Sequence, residues 1–288
     1  TDCPDANHHG NAGLPEDAIA PLEALLQAAL TSRAPALVAR AAEGCIRRCH
    51  GDLHLGNLCL WQGRPTPFDA LEFDEALARI DTGYDLAFLL MDLDQKAGRA
   101  AANRVLNRYL ARSGDYGLLG LLPLWLALRA LVRAHVQAAR GRDGATLLHA
   151  AQAYLAPAPP LLIAVGGLQG TGKSTLARGL APALGASPGA LLLRSDELRK
   201  RHFGLVPEAP LPPEAYGEDV SCAIHEELFM IAESALRQGH AVALDAVFLD
   251  PDHRRAAAAI AARAGVRFRG FWLEAPMEIL KSRILARR

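Results

Sequence analysis

The ten residues GGLQGTGKST, positions 166–175, constrain the fold of this chain more than any other stretch. They hold the pattern Gly-x-x-x-x-Gly-Lys-Ser at Gly167, Gly172, Lys173 and Ser174, between the apolar run LLIAVGG and a segment with helical spacing. Average residue usage makes a chance match in a chain of this length an event of about one per cent. The glycines let main-chain N–H groups turn inward with no Cβ in the way. A helix starting there adds the positive end of its dipole, so the turn forms a cradle for phosphate oxygens. Lys173 is one of only four lysines in the chain. At this place in the motif the lysine reaches the outer phosphates of ATP, and the hydroxyl that follows ligates Mg²⁺. Gly167, Gly170, Thr171, Gly172, Lys173, Ser174 and Thr175 are the expected nucleotide-binding residues, with Ser174 the metal ligand. The apolar runs ALLLRS, AVALDAVF and VRFRGFWLEA alternate with helical segments at 172–184, from Asp196, at 217–238, after Pro251 and from Pro276. Such alternation predicts an α/β unit over 161–288, its parallel sheet covered by helices on both faces.

Ligands of an open parallel sheet gather at the carboxyl ends of its strands. Asp196 falls just past one strand and is expected to take the proton of an acceptor hydroxyl, with Lys173 as the second catalytic group; capping the next helix is its plainer role. Arg199, one turn on, and Asp245, at another strand end, are expected beside the acceptor. Asp245 serves equally to hold the metal's water shell, or simply to cap a strand-end turn. The last helix carries Lys281, Arg283, Arg287 and Arg288. Arg283 and Arg287 are expected to close over the phosphates, against the commoner fate of a solvated helix face.

The stretches GGLQGTGKSTLARGLA, LLLRSDELRK and VALDAVFLDPDHR resemble the P-loop kinases of small molecules, the AAA-type group that includes zeta-toxin and gluconate-kinase-like proteins. The resemblance implies ATP, Mg²⁺ and transfer of the γ-phosphate to a small acceptor. It also implies a lid and closing helices, of which only the start precedes Arg288.

A second motif lies in CHGDLHLGNLCL, residues 49–60. Asp52 precedes Asn57 by five positions, the spacing of a kinase catalytic loop, and Asp69 follows on what reads as the next strand. In that reading Asp52 is the catalytic base, Asn57 and Asp69 hold metal, His50 buttresses the loop and His54 is structural. A polar turn with capping Asp and Asn is the alternative. HGDLHLGN, FDALEF and YDLAFLLMD resemble the aminoglycoside phosphotransferase and choline-kinase family over about 16–150. That likeness implies a mainly helical kinase C-lobe and a structural role for Asp85. The order of the two halves resembles bacterial bifunctional aminoglycoside phosphotransferase/ATP-binding proteins. The family's nucleotide-binding lobe has no counterpart, and residues 1–49 lack lysine altogether. The loop is therefore expected to bind nucleotide poorly alone and to form a second active site in a longer parent. The chain starts on Thr1 and stops on LARR, which reads as a fragment.

Residues 16–43 have helical spacing at Ile19, Leu22, Leu25, Leu26 and Leu30, LCLW reads as a strand, and 84–112 and 120–140 read as helices. LAPAPP, 155–160, separates a helical lobe (1–155) from the P-loop unit (161–288). Five residues of stiff extended chain reach only about 15 Å, so the halves are expected to touch. The formal charge of zero argues against a protein built to coat nucleic acid or anionic lipid. The most apolar run is interrupted by Pro123 and Arg129, which argues against a membrane span. Five cysteines, an odd number, fit a reducing cytoplasm better than a disulfide framework. Cys45, Cys49, His50, His54 and Cys59 lack the paired spacing of a zinc site. The expected partner is a small-molecule acceptor, and nothing in the sequence sets an oligomeric state. The other functional class left open is a nucleotide-operated binding module with little or no transfer.

Overall fold

The structure, a computed structural model, describes residues 14–286. The first half begins with α1 (Glu16–Ala42), then β1 (Ile46–Arg48), the hairpin β2 (Leu58–Trp61) and β3 (Arg64–Pro67), α2 (Glu75–Ala78) and β4 (Arg79–Asp81). Four longer helices follow: α3 (Thr82–Ala97), α4 (Arg99–Ser113), α5 (Leu122–Ala139) and α6 (Ala145–Leu155). β1 pairs antiparallel with β4, and β2 with β3. Leu22 and Leu26 of α1 are buried, whereas Leu25 and Leu30 are exposed. The buried stripe of this helix is thus narrower than its leucine pattern suggests. The single helix expected over 84–112 is two helices, separated at Gly98, where φ is +85° and ψ is 160°. Asp69 lies two residues beyond the end of β3, at φ +60°, and not on the strand itself.

The second half alternates as its pattern requires: β5 (Leu161–Gly167), α7 (Lys173–Leu180), β6 (Leu191–Arg194), α8 (Ser195–His202), α9 (Glu218–Arg237), β7 (Val242–Asp245), α10 (Pro251–Arg263), β8 (Arg267–Leu273) and α11 (Met277–Leu285). The four strands form one parallel sheet in the order β6-β7-β5-β8. β5 is buried on both faces. Leu162 and Ala164 join the main core with Leu193, Ile224, Leu244 and Ile260, while Ile163 and Val165 pack with Ala177 and Ala243 on the other side. This period of two on a strand with no polar face is what a central parallel strand needs. Asp250 starts α10 by accepting from the Asp252 amide at 2.8 Å, with Pro251 at the first helical position.

The halves share a hydrophobic core that runs from Leu22, Phe88 and Trp125 to Leu193 and Leu244. β6 is an edge strand, and α4 covers its open side. Asn107 accepts from the Leu192 amide at 2.7 Å and donates to the Ala190 carbonyl at 3.1 Å, as a neighbouring strand would. Arg99 of α4 donates to the carbonyls of Leu184, Gly185 and Ala186 at 3.2, 2.6 and 2.9 Å. The helical half is thereby fastened to the strand that ends in the candidate site.

Candidate functional site

β5 runs into the turn 168–172 and α7 begins at once, so the motif sits at the carboxyl end of a central strand. The turn closes around the Leu168 carbonyl. That oxygen accepts from the Thr171 amide (3.3 Å), the Thr171 hydroxyl (2.8 Å) and the Lys173 ammonium (2.9 Å). Gly167 has φ +135°, and a Cβ there would collide with the Leu273 carbonyl oxygen across the β5–β8 pairing. Only glycine fits, which ties the first residue of the motif to the sheet register.

Register also assembles the polar centre. Asp245, the last residue of β7, pairs with Val165 of β5 on one side and Arg194 of β6 on the other. The Ser174 hydroxyl donates to Asp245 Oδ2 at 2.5 Å, and Arg194 Nε donates to the same oxygen at 3.0 Å. Arg194 also reaches Ser174 Oγ at 3.3 Å and Glu197 Oε1 at 2.5 Å. Burial works against the charge on Arg194, but Glu197 and Asp245 outweigh it and hold the guanidinium above its ordinary pKa.

A cavity of about 360 Å³ opens over this centre, lined by Lys173, Ser174, Thr175, Arg194, Asp196 and Asp245 among others. Asp196 lies inside the first turn of α8 and is not its cap, the N-cap being Arg194. Its carboxylate pairs with Lys200 at 3.1 Å and remains partly exposed to the cavity. Arg199 lines the same cavity, but its guanidinium is engaged by the Ala215 carbonyl and by Ser221 Oγ at 3.2 Å. Burial lowers the pKa of Arg199. In α11, Arg283 donates to the Gly170 carbonyl at 3.1 Å, which sets its guanidinium against the turn. Arg287 lies outside the described residues.

The second motif also gathers its residues. Asn57 donates to the Asp52 main-chain oxygen at 3.0 Å and to Asp52 Oδ2 at 3.1 Å. Asp52, Asn57 and Asp69 line one cavity of about 360 Å³ together with Arg133 and Arg140 of the α5 region. Asp85 supports the loop from beneath, accepting from the amides of His50 (3.1 Å) and Gly51 (2.9 Å). His50 meets the Phe68 carbonyl at 2.9 Å. His54 Nδ1 accepts from the Gly56 amide at 2.9 Å, and the ring stands edge-on to Phe88. Burial lowers the pKa of His54.

Sequence reasoning passed over Arg194, Glu197, Arg133 and Arg140. For Arg194 a signal was present: it is the one charged residue closing the apolar run LLLR, at a strand end. Arg133 and Arg140 carry no such mark, because they approach the loop from a helix some eighty residues away in the chain.

Among the described residues no helix is long and apolar enough to cross a membrane. Three uncharacterized mycobacterial proteins, Mb2027c of Mycobacterium bovis and MT2060 and Rv2004c of Mycobacterium tuberculosis, are each 32% identical over 292 residues. The matches cover 97% of this chain and 58% of each relative, so the chain spans little more than half their length. A solved structure of a candidate kinase from Chloroflexus aurantiacus is 25% identical over 45% of this chain and 68% of its own, at a TM-score of 0.37. A family model described as an AAA domain matches residues 162–288. Over that stretch, which holds the phosphate turn, the chain is similar to P-loop NTPase-like AAA domains.

Proposed function

We propose that residues 161–288 transfer the γ-phosphate of ATP to the hydroxyl of a small molecule, and that residues 1–155 form a separate functional unit. The observation that carries the reading is the cavity at the strand ends. It brings the P-loop lysine, a Ser–Asp pair of hard oxygens and a partly exposed carboxylate to one face of the phosphate turn. The amides of the turn and of the start of α7 hold the phosphate tail. Lys173 exchanges the Leu168 carbonyl for the outer phosphates, one oxygen acceptor for another. Asp196 accepts the acceptor's proton as the new P–O bond forms and the bond from the γ-phosphorus to the β-phosphate oxygen breaks, releasing ADP. The segment around Tyr216, held by Arg199, closes the acceptor side.

Ser174 Oγ and Asp245 Oδ2 are the donor set that suits Mg²⁺ beside a triphosphate, since that ion keeps most of its waters and takes few protein ligands. Bound there, magnesium supplies charge that offsets the phosphates' own. The free cysteines Cys45, Cys49, Cys59 and Cys222 suit work in a reducing cytoplasm.

The test has two arms. Calorimetric titration with ATP should show binding that Lys173→Ala abolishes. ADP release against a panel of sugars, nucleosides and aminoglycosides should show turnover that Asp196→Asn abolishes while sparing ATP affinity. Binding with no acceptor ever consumed would instead support a nucleotide-operated binding module.

The contact of Asn57 with Asp52, with Asp69 in the same cavity, favours a second reading for the helical half. There Asp52 acts as base and Asn57 and Asp69 as metal ligands of an aminoglycoside-phosphotransferase-type lobe. Loss of a second transfer activity on Asp52→Ala in a full-length relative would support it.

A further inference from the structure

We propose that Arg194 is a resident cation standing in the magnesium position of the phosphate turn, which must leave Asp245 before the metal binds and then turns its charge onto the nucleotide. The inference rests on the ATP-binding reading above and adds a residue that the phosphate-turn motif does not contain.

The guanidinium touches the same two oxygens that suit the metal: Nε lies 3.0 Å from Asp245 Oδ2, and Nη2 lies 3.3 Å from Ser174 Oγ. A magnesium ion bonds such oxygens at about 2.1 Å and keeps its remaining shell full. It cannot share them with a guanidinium at hydrogen-bond distance, because the two cations repel at such close range. Asp245 is nearly buried, at 6% exposure, so without Arg194 its charge would lose its hydrogen-bonded cation whenever the metal is away. A lysine in this position has a second way out, since it can lose its proton. Arginine cannot, and must move.

The structure provides for that movement. Nη1 is held by Glu197 Oε1 at 2.5 Å, one turn along α8. The anchor keeps the head group in the cavity while Nε and Nη2 let go of Asp245 and Ser174. Arg194 lines the cavity with Lys173 and Asp196, so the direction left open to its charge is the phosphate tail. Glu197 therefore acts as a positioning residue that makes the exchange reversible.

ATP affinity measured by calorimetry across a magnesium series, beginning in chelator, tests this in Arg194→Gln, which removes the charge and keeps a hydrogen-bond donor. The variant should reach half its magnesium response at about tenfold less metal, the worth of one charge-assisted hydrogen bond. Its metal-free ATP affinity should fall by a similar factor, because the cation that offsets Asp245 beside the phosphates is gone. Glu197→Gln should shift magnesium demand the other way, as Arg194 then leans wholly on Asp245. Arg194→Lys should keep wild-type metal-free affinity, and it carries the test if the glutamine variant unfolds. A purely architectural Arg194 would weaken binding with and without metal alike and leave the magnesium midpoint where it is in the wild type, and an unshifted midpoint overturns the proposal. If the wild-type chain binds no ATP at any magnesium level, the nucleotide reading itself fails and this inference falls with it.

Discussion

Replacing Gly167 by alanine tests whether the phosphate turn depends on the sheet behind it. Two costs add. The backbone sits at φ +135°, a region left almost wholly to glycine, and holding alanine there costs about 1–3 kcal/mol. The new methyl also runs into the Leu273 carbonyl, with Thr171 Oγ1 only 3.0 Å away. Gly167 and Leu273 are partners in the β5–β8 ladder, so relief requires the strand ends to part or the turn to rotate. Overpacking of this kind costs about 1–3 kcal/mol more. The expected loss is about 2–6 kcal/mol, a large share of the roughly 5–15 kcal/mol that holds an ordinary domain together. Gly239 supplies the control: φ is +82°, but a Cβ there meets nothing within 4 Å. Gly239→Ala should cost only the backbone term, about 1–2 kcal/mol. Urea unfolding midpoints compare the two, and ATP titration adds a second readout. Gly167→Ala should be the less stable and should bind ATP more weakly, while Gly239→Ala binds normally. Equal midpoints with unchanged ATP affinity would refute the link between turn and register.

Three further outcomes follow from the packing. Arg40→Ala should lower stability by about 3–5 kcal/mol in urea unfolding, because Arg40 joins Asp81 (2.8 Å) and Asp115 (2.6 Å) to α1, and its removal leaves the buried Asp81 charge with no cation and only the Gly83 amide as a described donor. Asp85→Ala should expose the amides of His50 and Gly51 to rapid hydrogen exchange while the α5 amides stay protected, since both bond only to that carboxylate among the contacts described. Buried His240 is pushed down to about 4 by desolvation, so the unfolded chain binds its proton first as pH falls. Its contribution is complete above about pH 6.5 and is lost as pH drops toward 4, up to about 3 kcal/mol. Thermal unfolding temperature should therefore fall across that window, and His240→Leu should flatten the fall.

Much of the second half was legible because its signals are local. LLIAVGG and AVALD are short apolar runs of the kind a doubly covered strand needs, and each ends where a parallel sheet places its ligands. The first half was harder to read. The continuous helical pattern from 84 to 112 hid the break at Gly98, since periodicity carries across a single glycine when both flanks stay helical. α6 was not anticipated at all: Ala145–Leu155 is apolar enough to pass for an extension of its neighbours. GRPTPFDALEFD reads as a turn and a strand, yet β3 ends at Pro67 and the chain turns at Asp69, which lines one cavity with Asn57.

The sequence by itself determined the chemistry at each position: a turn of main-chain donors, a lysine and a hydroxyl at one strand end, and an Asp and an Asn five residues apart on a loop. Tertiary structure alone decided which charges meet. Arg194 faces Asp245 because β6 and β7 align at their last residues, and Arg133 faces the 50–57 loop because α5 packs against α3. Local motifs are written by covalent spacing, which a sequence carries in full. Pairings between distant residues depend on strand register and helix packing, and these are set by the whole core at once.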